Sequence, residues 1–124
     1  MSAVIVIDDD RDIAHLVELK LSRAGFDVVS RPDGRSGLDA ILEQRPPVAI
    51  VDWMMPGMDG IELAKAVRST PETRDMKLLM LTARSSEEDQ RVARESGFDD
   101  IVSKPFRPSD LLSRVQALCA ATGD

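Results

Sequence analysis

Aromatic residues are scarce in the 124-residue sequence, which contains three Phe, one Trp and no Tyr. A folded core must therefore consist mainly of aliphatic side chains, and a chain of this length can still bury about two-thirds of its unfolded surface. Cysteine is nearly absent as well, because Cys119 is the only one. An internal disulfide is excluded, and such cysteine usage indicates a reducing compartment.

Long apolar runs are also missing, since none approaches the roughly 18 residues that a membrane-spanning helix requires. The first residues lack the charged start, apolar stretch and cleavage site of a secretory leader. Basic residues are outnumbered, with 16 Lys and Arg against 22 Asp and Glu and a net charge of -6. This balance disfavours non-specific nucleic-acid binding, which needs clustered basic side chains. We therefore expect a cytoplasmic protein that binds neither membranes nor nucleic acid.

Three short apolar runs are present, and each ends at a polar residue. They read A-V-I-V-I at residues 3–7, V-A-I-V at 48–51 and L-L-M-L at 78–81. Short, unbroken runs of this kind are typical of parallel strands that are buried on both faces. Two weaker and more polar candidates, residues 27–31 and 101–102, suit the edges of a sheet.

Between these strands, apolar residues recur at helical spacing and are bounded by helix start and stop signals. The signals are Gly25 after the first helix, Pro46 after the second, Asp59 before the third, Ser86 before the fourth and Pro108 at the start of the fifth. Five alternating strands and helices predict one α/β domain over residues 1–124. Its fold should be doubly wound and flavodoxin-like, with a parallel sheet in the order 2-1-3-4-5 and helices on both faces.

The fourth predicted helix contains little apolar surface. Between Ser86 and Ser96 its only apolar residues are Val92 and Ala93. Helices depend mainly on packing for stability, so this one is either an ordinary solvated helix or an element that can move in a switch. The polar stretch at residues 69–77, before the fourth strand, is expected to be a surface loop.

Polar side chains stand at four of the predicted strand ends. The first strand runs into Asp8 and Asp9, the third into Asp52, the fourth into Thr82, and the fifth reaches Lys104. Because the carboxyl ends of parallel strands meet at one edge of a sheet, these side chains should converge. Two carboxylates about 4 Å apart repel by roughly 4 kcal/mol at an effective dielectric of about 20, so the cluster needs a cation. Carboxylate oxygens suit Mg²⁺.

Such a cluster is suited to phosphoryl transfer. A metal ion can clamp a phosphoryl group and offset its charge, and Lys104 adds a further positive charge. Thr82 can donate a hydrogen bond to a phosphoryl oxygen. An aspartate such as Asp52 can act as the nucleophile and form an aspartyl-phosphate. A single aspartate after a strand is more often a cap or turn residue, so the prediction depends on the whole set.

The segment V-D-W-M-M-P-G-M-D-G, at residues 51–60, is the most specific stretch. Together with V-I-V-I-D-D-D near the start and L-M-L-T-A and F-D-D-I-V-S-K-P-F further on, it resembles the receiver domain of bacterial two-component response regulators. The resemblance covers essentially the whole chain. It implies a signalling switch that takes a phosphoryl group from a phospho-His in a Mg²⁺-dependent reaction. It implies no enzymatic activity beyond self-phosphorylation and self-dephosphorylation.

The resemblance also implies residue roles and partners. Asp52 matches the phosphorylated aspartate, and Thr82 and Lys104 match the hydroxyl and the amine that contact the phosphoryl group. Four groups match magnesium ligands: the carboxylates of Asp8, Asp9 and Asp52 and the main-chain carbonyl of Met54. The implied partners are a histidine kinase or histidine phosphotransfer protein and, for output, a downstream protein or a fused effector domain. The domain is expected to be a monomer or a phosphorylation-dependent dimer.

Three features concern how such a switch would work. The family usually has Tyr or Phe three residues before the lysine, and that ring rotates inward on phosphorylation, but this sequence has Ile101. We therefore expect the loop after Thr82 and the fourth helix to move without an aromatic flip. Met54 and Arg84 flank the expected path of the attacking water and should slow phosphoryl loss. Trp53 is expected to cover the site partly.

An enzyme is the main alternative. The residues that also resemble motifs of a small phosphatase of the haloacid-dehalogenase superfamily are Asp8, Asp10, Thr82, Lys104, Asp99 and Asp100. In that interpretation Asp8 would be the nucleophile. However, the lysine of that family precedes its second acidic pair, whereas Lys104 follows it, and Asp52 would have no role. A purely structural interaction domain would require the acidic cluster to be incidental.

Overall fold

The structure is a computed structural model and describes residues 2–121. Five strands and five helices alternate along this part of the chain. The strands are β1 (Ala3–Ile7), β2 (Asp27–Arg31), β3 (Val48–Asp52), β4 (Lys77–Thr82) and β5 (Asp100–Ser103). The helices are α1 (Arg11–Arg23), α2 (Gly34–Gln44), α3 (Gly60–Ser69), α4 (Glu87–Ser96) and α5 (Pro108–Ala121). The ends of the predicted domain, residue 1 and residues 122–124, lie outside the described residues.

The strands form one parallel sheet in the order β2-β1-β3-β4-β5. The predicted doubly wound, flavodoxin-like α/β fold is therefore confirmed. Every residue of the central strand β3 is buried, whereas the edge strand β2 is only partly buried, as its more polar sequence predicts. The carboxyl edge of the sheet is defined here by the strand ends at Ile7, Asp52, Thr82 and Ser103. The amino edge is defined by the strand starts at Val48, Lys77 and Asp100.

Both faces of the sheet are covered, because alternate residues of each central strand point to opposite faces. In β1, Ile5 and Ile7 pack in the core cluster that α2, α3 and α4 cover. Val4 and Val6 pack in the second cluster, which α1 and α5 cover. Each fully buried aliphatic side chain contributes about 1.5–3 kcal/mol, so the core needs few aromatic rings. Among the helices of residues 2–121, none has the length and apolar character needed to cross a membrane.

The predicted helix signals act as expected. Asp59 and Glu62 form a reciprocal capping box before α3, with hydrogen bonds of 2.9 and 3.1 Å. The Ser86 side chain caps α4, and Pro108 is the first residue of α5. Gly25 follows α1 with a φ of 101°, a left-handed conformation that favours glycine. These caps set the lengths of the loops that carry the polar residues of the carboxyl edge.

The prediction that residues 69–77 form a surface loop is wrong in part. Thr73 is only 2% exposed, and its hydroxyl donates to the carbonyl of Val67 at 2.8 Å. Met76 is also buried and joins the core cluster beneath α3. The last carbonyls of a helix have no partner within the helix, so a donor from the next segment stabilises its end. The segment folds back on α3 for this reason.

The helix α4 is the least buried of the five. Ala93 is its only buried residue, and Val92 packs partly against the core. Three acidic residues occupy its first turn, where they suit the positive end of the helix dipole. The prediction of a weakly packed fourth helix is therefore confirmed.

Candidate functional site

The carboxyl edge brings the predicted acidic side chains together. Ile7 of β1 is in register with Val51 of β3, so the next residues, Asp8 and Asp52, lie side by side. Asp9 follows in the loop to α1. Ligand oxygens of Asp8, Asp9 and Asp52 all lie within 4.8 Å of one another. Asp8 and Asp52 are buried and Asp9 is exposed, so the cluster opens to solvent on one side.

Lys104, directly after β5, is the cation of this cluster. Its Nζ donates to Asp8 Oδ2 at 3.2 Å and to Asp52 Oδ1 at 3.4 Å. Its main-chain N–H donates to the carbonyl of Thr82 at 2.8 Å, which fixes the turn after β5 against β4. The peptide bond between Lys104 and Pro105 is cis. Residues that lie 96 positions apart in the sequence therefore share one pocket.

The charges of the pocket do not balance. Burial and then the negative charge of Asp8 raise the pKa of Asp52 to about 7, although Lys104 acts in the opposite direction. For Lys104, burial acts to lower the pKa, but attraction to Asp8 and Asp52 raises it above its ordinary value. Three carboxylates thus face one amine. The pocket favours an additional cation or a proton.

The donor set fits Mg²⁺. Mg²⁺ prefers hard oxygen ligands, accepts only a few from the protein and keeps several waters. Asp8, Asp9 and Asp52 supply three such groups, and the partial exposure of Asp9 leaves room for water. A divalent cation would also offset the excess negative charge that raises the pKa of Asp52. The predicted magnesium ligation by the Met54 carbonyl stays a prediction, and the Met54 side chain is 57% exposed.

Thr82 ends β4 beside the carboxylate cluster. Its neighbour Leu81 is in register with Asp52, and Thr82 itself is only 1% exposed. Its hydroxyl oxygen accepts the main-chain N–H of Arg84 at 2.9 Å. A hydroxyl can donate its own hydrogen while it accepts another. Thr82 therefore retains a donor for a ligand in the pocket.

Gly60 at the start of α3 lets that helix approach the site closely. A Cβ atom at this position would lie 2.6 Å from the Asp52 carbonyl oxygen and 3.0 Å from Trp53 Cα. The Gly60 N–H donates to the Trp53 carbonyl at 2.8 Å. The glycine thus holds the loop after β3 tightly against the end of that strand.

Trp53 differs from its prediction. It is 6% exposed and packs in the core cluster with residues of α2 and α3, so it belongs to the core and is not a cover over the site. Its ring is nevertheless coupled to the pocket, because the Arg84 guanidinium carbon lies 4.6 Å from the ring centroid. This geometry is typical of a cation–π contact.

Two further residues shape the site without having been predicted. Arg11 donates from Nη1 to the Asp8 carbonyl at 2.8 Å and from Nη2 to Ser30 Oγ at 2.9 Å, which fixes the loop after β1. Asp89 in the first turn of α4 accepts from Arg84 Nη2 at 2.8 Å. Arg11 directly follows the D-D-D run, but sequence pattern does not show that it binds Ser30 of β2, and Asp89 lies outside the quoted motifs.

The phosphatase alternative is not supported. Its second carboxylate, Asp10, caps α1 by accepting the N–H groups of Asp12 and Ile13. Its second acidic pair lies at the amino edge, opposite the pocket, because Asp100 begins β5 in register with Leu79. Residues at opposite edges of the sheet cannot form one site.

The comparisons with known proteins agree with this geometry. The chain is 35% identical to the chemotaxis protein CheY4 of Vibrio cholerae, with a TM-score of 0.90 over 95% of this chain and 98% of that one. It is 34% identical to the receiver domain of the Francisella response regulator 1452, with a TM-score of 0.92 over 98% and 99%. It is 26% identical to the signal receiver domain of a histidine kinase from Syntrophus aciditrophicus, with a TM-score of 0.89 over 98% and 92%. The family model for the response regulator receiver domain matches residues 4–116. The chain therefore belongs to the response regulator receiver domain family.

Proposed function

We propose that Asp52 is the acceptor of a phosphoryl group and that its phosphorylation switches a protein-binding surface of this domain. Receiver domains are phospho-accepting signalling domains of two-component systems and not classical enzymes. The observation that carries the proposal for this chain is the position of Asp52, buried at the end of the central strand between Asp8 and Lys104. The Asp52 carboxylate lies beside the positive charge of Lys104, and the pocket is open to solvent on the side of Asp9.

The donor in this proposal is the phospho-His of a histidine kinase or of a histidine phosphotransfer protein. An Asp52 oxygen attacks phosphorus, the new O–P bond forms, and the N–P bond breaks with its electron pair returning to the imidazole of the donor. Lys104 offsets charge on the phosphoryl oxygens, and the Thr82 hydroxyl donates to one of them. The positions of both groups at the carboxyl ends of β4 and β5 support these roles.

The proposed reaction depends on Mg²⁺. Asp8, Asp9, Asp52 and the main-chain carbonyl of Met54 would hold the ion, which supplies charge neutralisation to the phosphoryl oxygens. Asp52 must be ionised to attack, and burial beside Asp8 raises its pKa to about 7. The Lys104 ammonium favours the ionised carboxylate and opposes that effect.

The output in this proposal is protein contact. A change in the surface around α4 would be read by a downstream protein or by an effector domain fused to this one, with the domain acting as a monomer or as a phosphorylation-dependent dimer. Direct nucleic-acid binding is not part of the proposal, because the net charge of -6 disfavours it. A cytoplasmic location and a single domain over residues 1–124 stay predictions.

The test is phosphorylation by a small-molecule donor. The wild type incubated with acetyl phosphate and Mg²⁺ should gain the mass of one phosphoryl group, and EDTA should prevent the gain. Asp52→Asn should gain none, since an amide is a poor nucleophile, and Asp9→Asn should gain it more slowly. A wild type that acquires no phosphoryl group, or an Asp52→Asn variant that acquires as much as the wild type, would contradict the proposal.

A further inference from the structure

Arg84, in the loop between β4 and α4, connects the acceptor pocket with a neighbouring helix. Its main-chain N–H donates to Thr82 Oγ1 at 2.9 Å. Its guanidinium lies over the Trp53 ring at 4.6 Å and donates from Nη2 to Asp89 Oδ1 at 2.8 Å. Its Nη1 also lies 4.0 Å from Met54 Sδ. One residue therefore touches the loops after β3 and β4 and the first turn of α4.

The contact with Asp89 reaches α4 at its amino end. The Asp89 side chain is 15% exposed, and its main-chain N–H donates to the capping hydroxyl of Ser86 at 3.1 Å. Hydrogen bonding with Ser86 and then the pairing with Arg84 hold the pKa of Asp89 below its ordinary value. Asp89 is thus charged at neutral pH, and a displacement of Arg84 acts directly on the first turn of the helix.

The other end of α4 is held firmly. The carbonyl of Gly97, just after the helix, accepts from Arg68 Nε at 3.0 Å and from Arg68 Nη2 at 2.6 Å. Between the two ends, only Ala93 is buried. A helix that is fixed at its carboxyl end and lightly packed along its body responds to a pull on its first turn by tilting about the fixed end.

The usual relay through an aromatic ring is replaced here by an aliphatic residue. Ile101 is partly buried against the core and has no ring that could rotate inward when Thr82 is displaced. The described contacts of the Thr82 hydroxyl lead to Arg84 instead. Resting on the proposed phosphorylation of Asp52, we propose that Arg84 is the positioning residue that transmits the change at the pocket to α4.

The transmission follows from the chemistry of the hydroxyl. When Thr82 moves to donate to a phosphoryl oxygen, its oxygen still accepts the N–H of Arg84, because a hydroxyl can do both. The main chain of Arg84 therefore moves with Thr82. The guanidinium shifts over Trp53, and the ion pair carries the first turn of α4 with it. The only tryptophan of the chain reports this step by its fluorescence.

The experiment compares Arg84→Gln with a matched control, Arg91→Gln. Arg91 lies on α4 and pairs with Glu88 and Glu95, and its side chain is 59% exposed, similar to the 51% of Arg84. Acetyl phosphate with Mg²⁺ is the probe. Intact mass gives the phosphorylated fraction, amide hydrogen exchange of residues 87–96 gives the response of α4, and fluorescence gives the response of Trp53.

We expect the wild type and Arg91→Gln to show the same phosphorylation-dependent change in exchange and fluorescence. For Arg84→Gln, the exchange response over residues 87–96, divided by the phosphorylated fraction of that variant, should fall by about threefold or more relative to the wild type. Asp89→Asn keeps the neutral hydrogen-bonding groups at the cap and loses the ion pair. It should lose the exchange response and retain the Trp53 response.

Two outcomes separate this inference from the function on which it rests. A phosphorylated Arg84→Gln variant whose α4 exchange response equals that of the wild type overturns the role of Arg84 and leaves the acceptor function intact. A wild type that takes up no phosphoryl group overturns the acceptor function and this inference together.

Discussion

The two edges of the sheet use the same kinds of side chains in opposite ways. At the amino edge, Arg68 and Asp99 form an ion pair of 2.9 Å, and both side chains also bind main-chain groups. At the carboxyl edge, Asp8, Asp52 and Lys104 are in contact, but the negative charge exceeds the positive charge. The first arrangement can only stabilise the fold. The second has an excess of negative charge, which favours a bound cation.

The difference arises from the partners of each charge. Arg68 donates to the carbonyls of Arg74, Met76 and Gly97, and Asp99 Oδ2 also accepts the N–H of Leu78 at 2.8 Å. Charged groups that bind main-chain dipoles are stabilised without a second ion. Asp52 instead faces another carboxylate, which raises its pKa. This domain therefore separates the ion pair that holds the amino edge together from the pocket at the carboxyl edge.

The largest effect on stability is expected at the amino edge. Arg68→Ala removes donors from three carbonyls and leaves Asp99 without its ion-pair partner, so the free energy of unfolding should fall by about 3 kcal/mol. Urea denaturation measures this change. Arg74→Ala is the control. That side chain is 65% exposed, so its removal should change the free energy of unfolding by less than about 0.5 kcal/mol. Equal losses in both variants would contradict the account of the amino edge.

At the carboxyl edge, removing a charge should instead raise the free energy of unfolding. The pKa of Asp52 is about 7 in the folded protein, whereas the ordinary value, which applies to the unfolded chain, is 3.8. Between these two pH values the folded state therefore binds more protons than the unfolded state. Without divalent cations, stability should therefore decrease as the pH rises from about 4 to about 7. Asp52→Asn should remove this decrease and be more stable at pH 8 by about 2 kcal/mol, a figure reduced for partial solvent screening.

Thermal unfolding in EDTA at a series of pH values measures this dependence. Mg²⁺ is the control, because it should stabilise the wild type at pH 8 and have little effect on Asp52→Asn. If the stability of Asp52→Asn depends on pH in the same way as that of the wild type, Asp52 is not the cause of the loss of stability at high pH.

The lifetime of the phosphoryl group should depend on residues beside the pocket and not on the amino edge. Met54 provides no hydrogen bond to an attacking water, and Arg84 lies beside its sulfur. Met54→Asn adds one such hydrogen bond of about 1 kcal/mol, so phosphoryl loss should become about fivefold faster. Intact mass recorded over time after removal of acetyl phosphate gives the rate. Met54→Leu should keep the wild-type rate, and an unchanged rate in Met54→Asn would show that water access is controlled elsewhere.

The smallest effect is expected for an ion pair near Asp99. Arg114 pairs with Asp100 at 2.8 Å, but the Arg114 side chain is 50% exposed. Arg114→Gln should therefore lower the free energy of unfolding by about 0.5 kcal/mol or less. If Arg114→Gln lowered the free energy of unfolding as much as Arg68→Ala, ion pairing alone, without main-chain partners, would explain the stability that the amino edge contributes.

The sequence predicts the carboxyl edge better than the amino edge, for a physical reason. Asp8, Asp52 and Lys104 each stand at the carboxyl end of a strand. The parallel sheet therefore brings them together independently of the loop conformations. Strand order and helix caps are also predictable, because apolar periodicity and capping residues are local signals. The fold and the members of the pocket were accessible in this way, although their roles stay proposals.

The contacts that sequence analysis missed are set by tertiary structure. Arg68 binds carbonyls up to 29 positions away, and carbonyls carry no residue signature. Thr73 was assigned to a surface loop because its neighbours are polar, but its hydroxyl satisfies the end of α3. Trp53 directly follows Asp52, yet its ring packs in the core. Arg84 and Asp89 meet only because the loop after β4 turns back on α4.

The most direct test of the central claim locates the acyl phosphate. After incubation with acetyl phosphate and Mg²⁺, borohydride reduction converts a phosphorylated aspartate to homoserine, and peptide mapping then identifies the position. The account predicts a single modified residue, Asp52, which lies between Asp8 and Lys104 at the end of β3. Modification of Asp8 or of any other aspartate, with Asp52 unchanged, would contradict it.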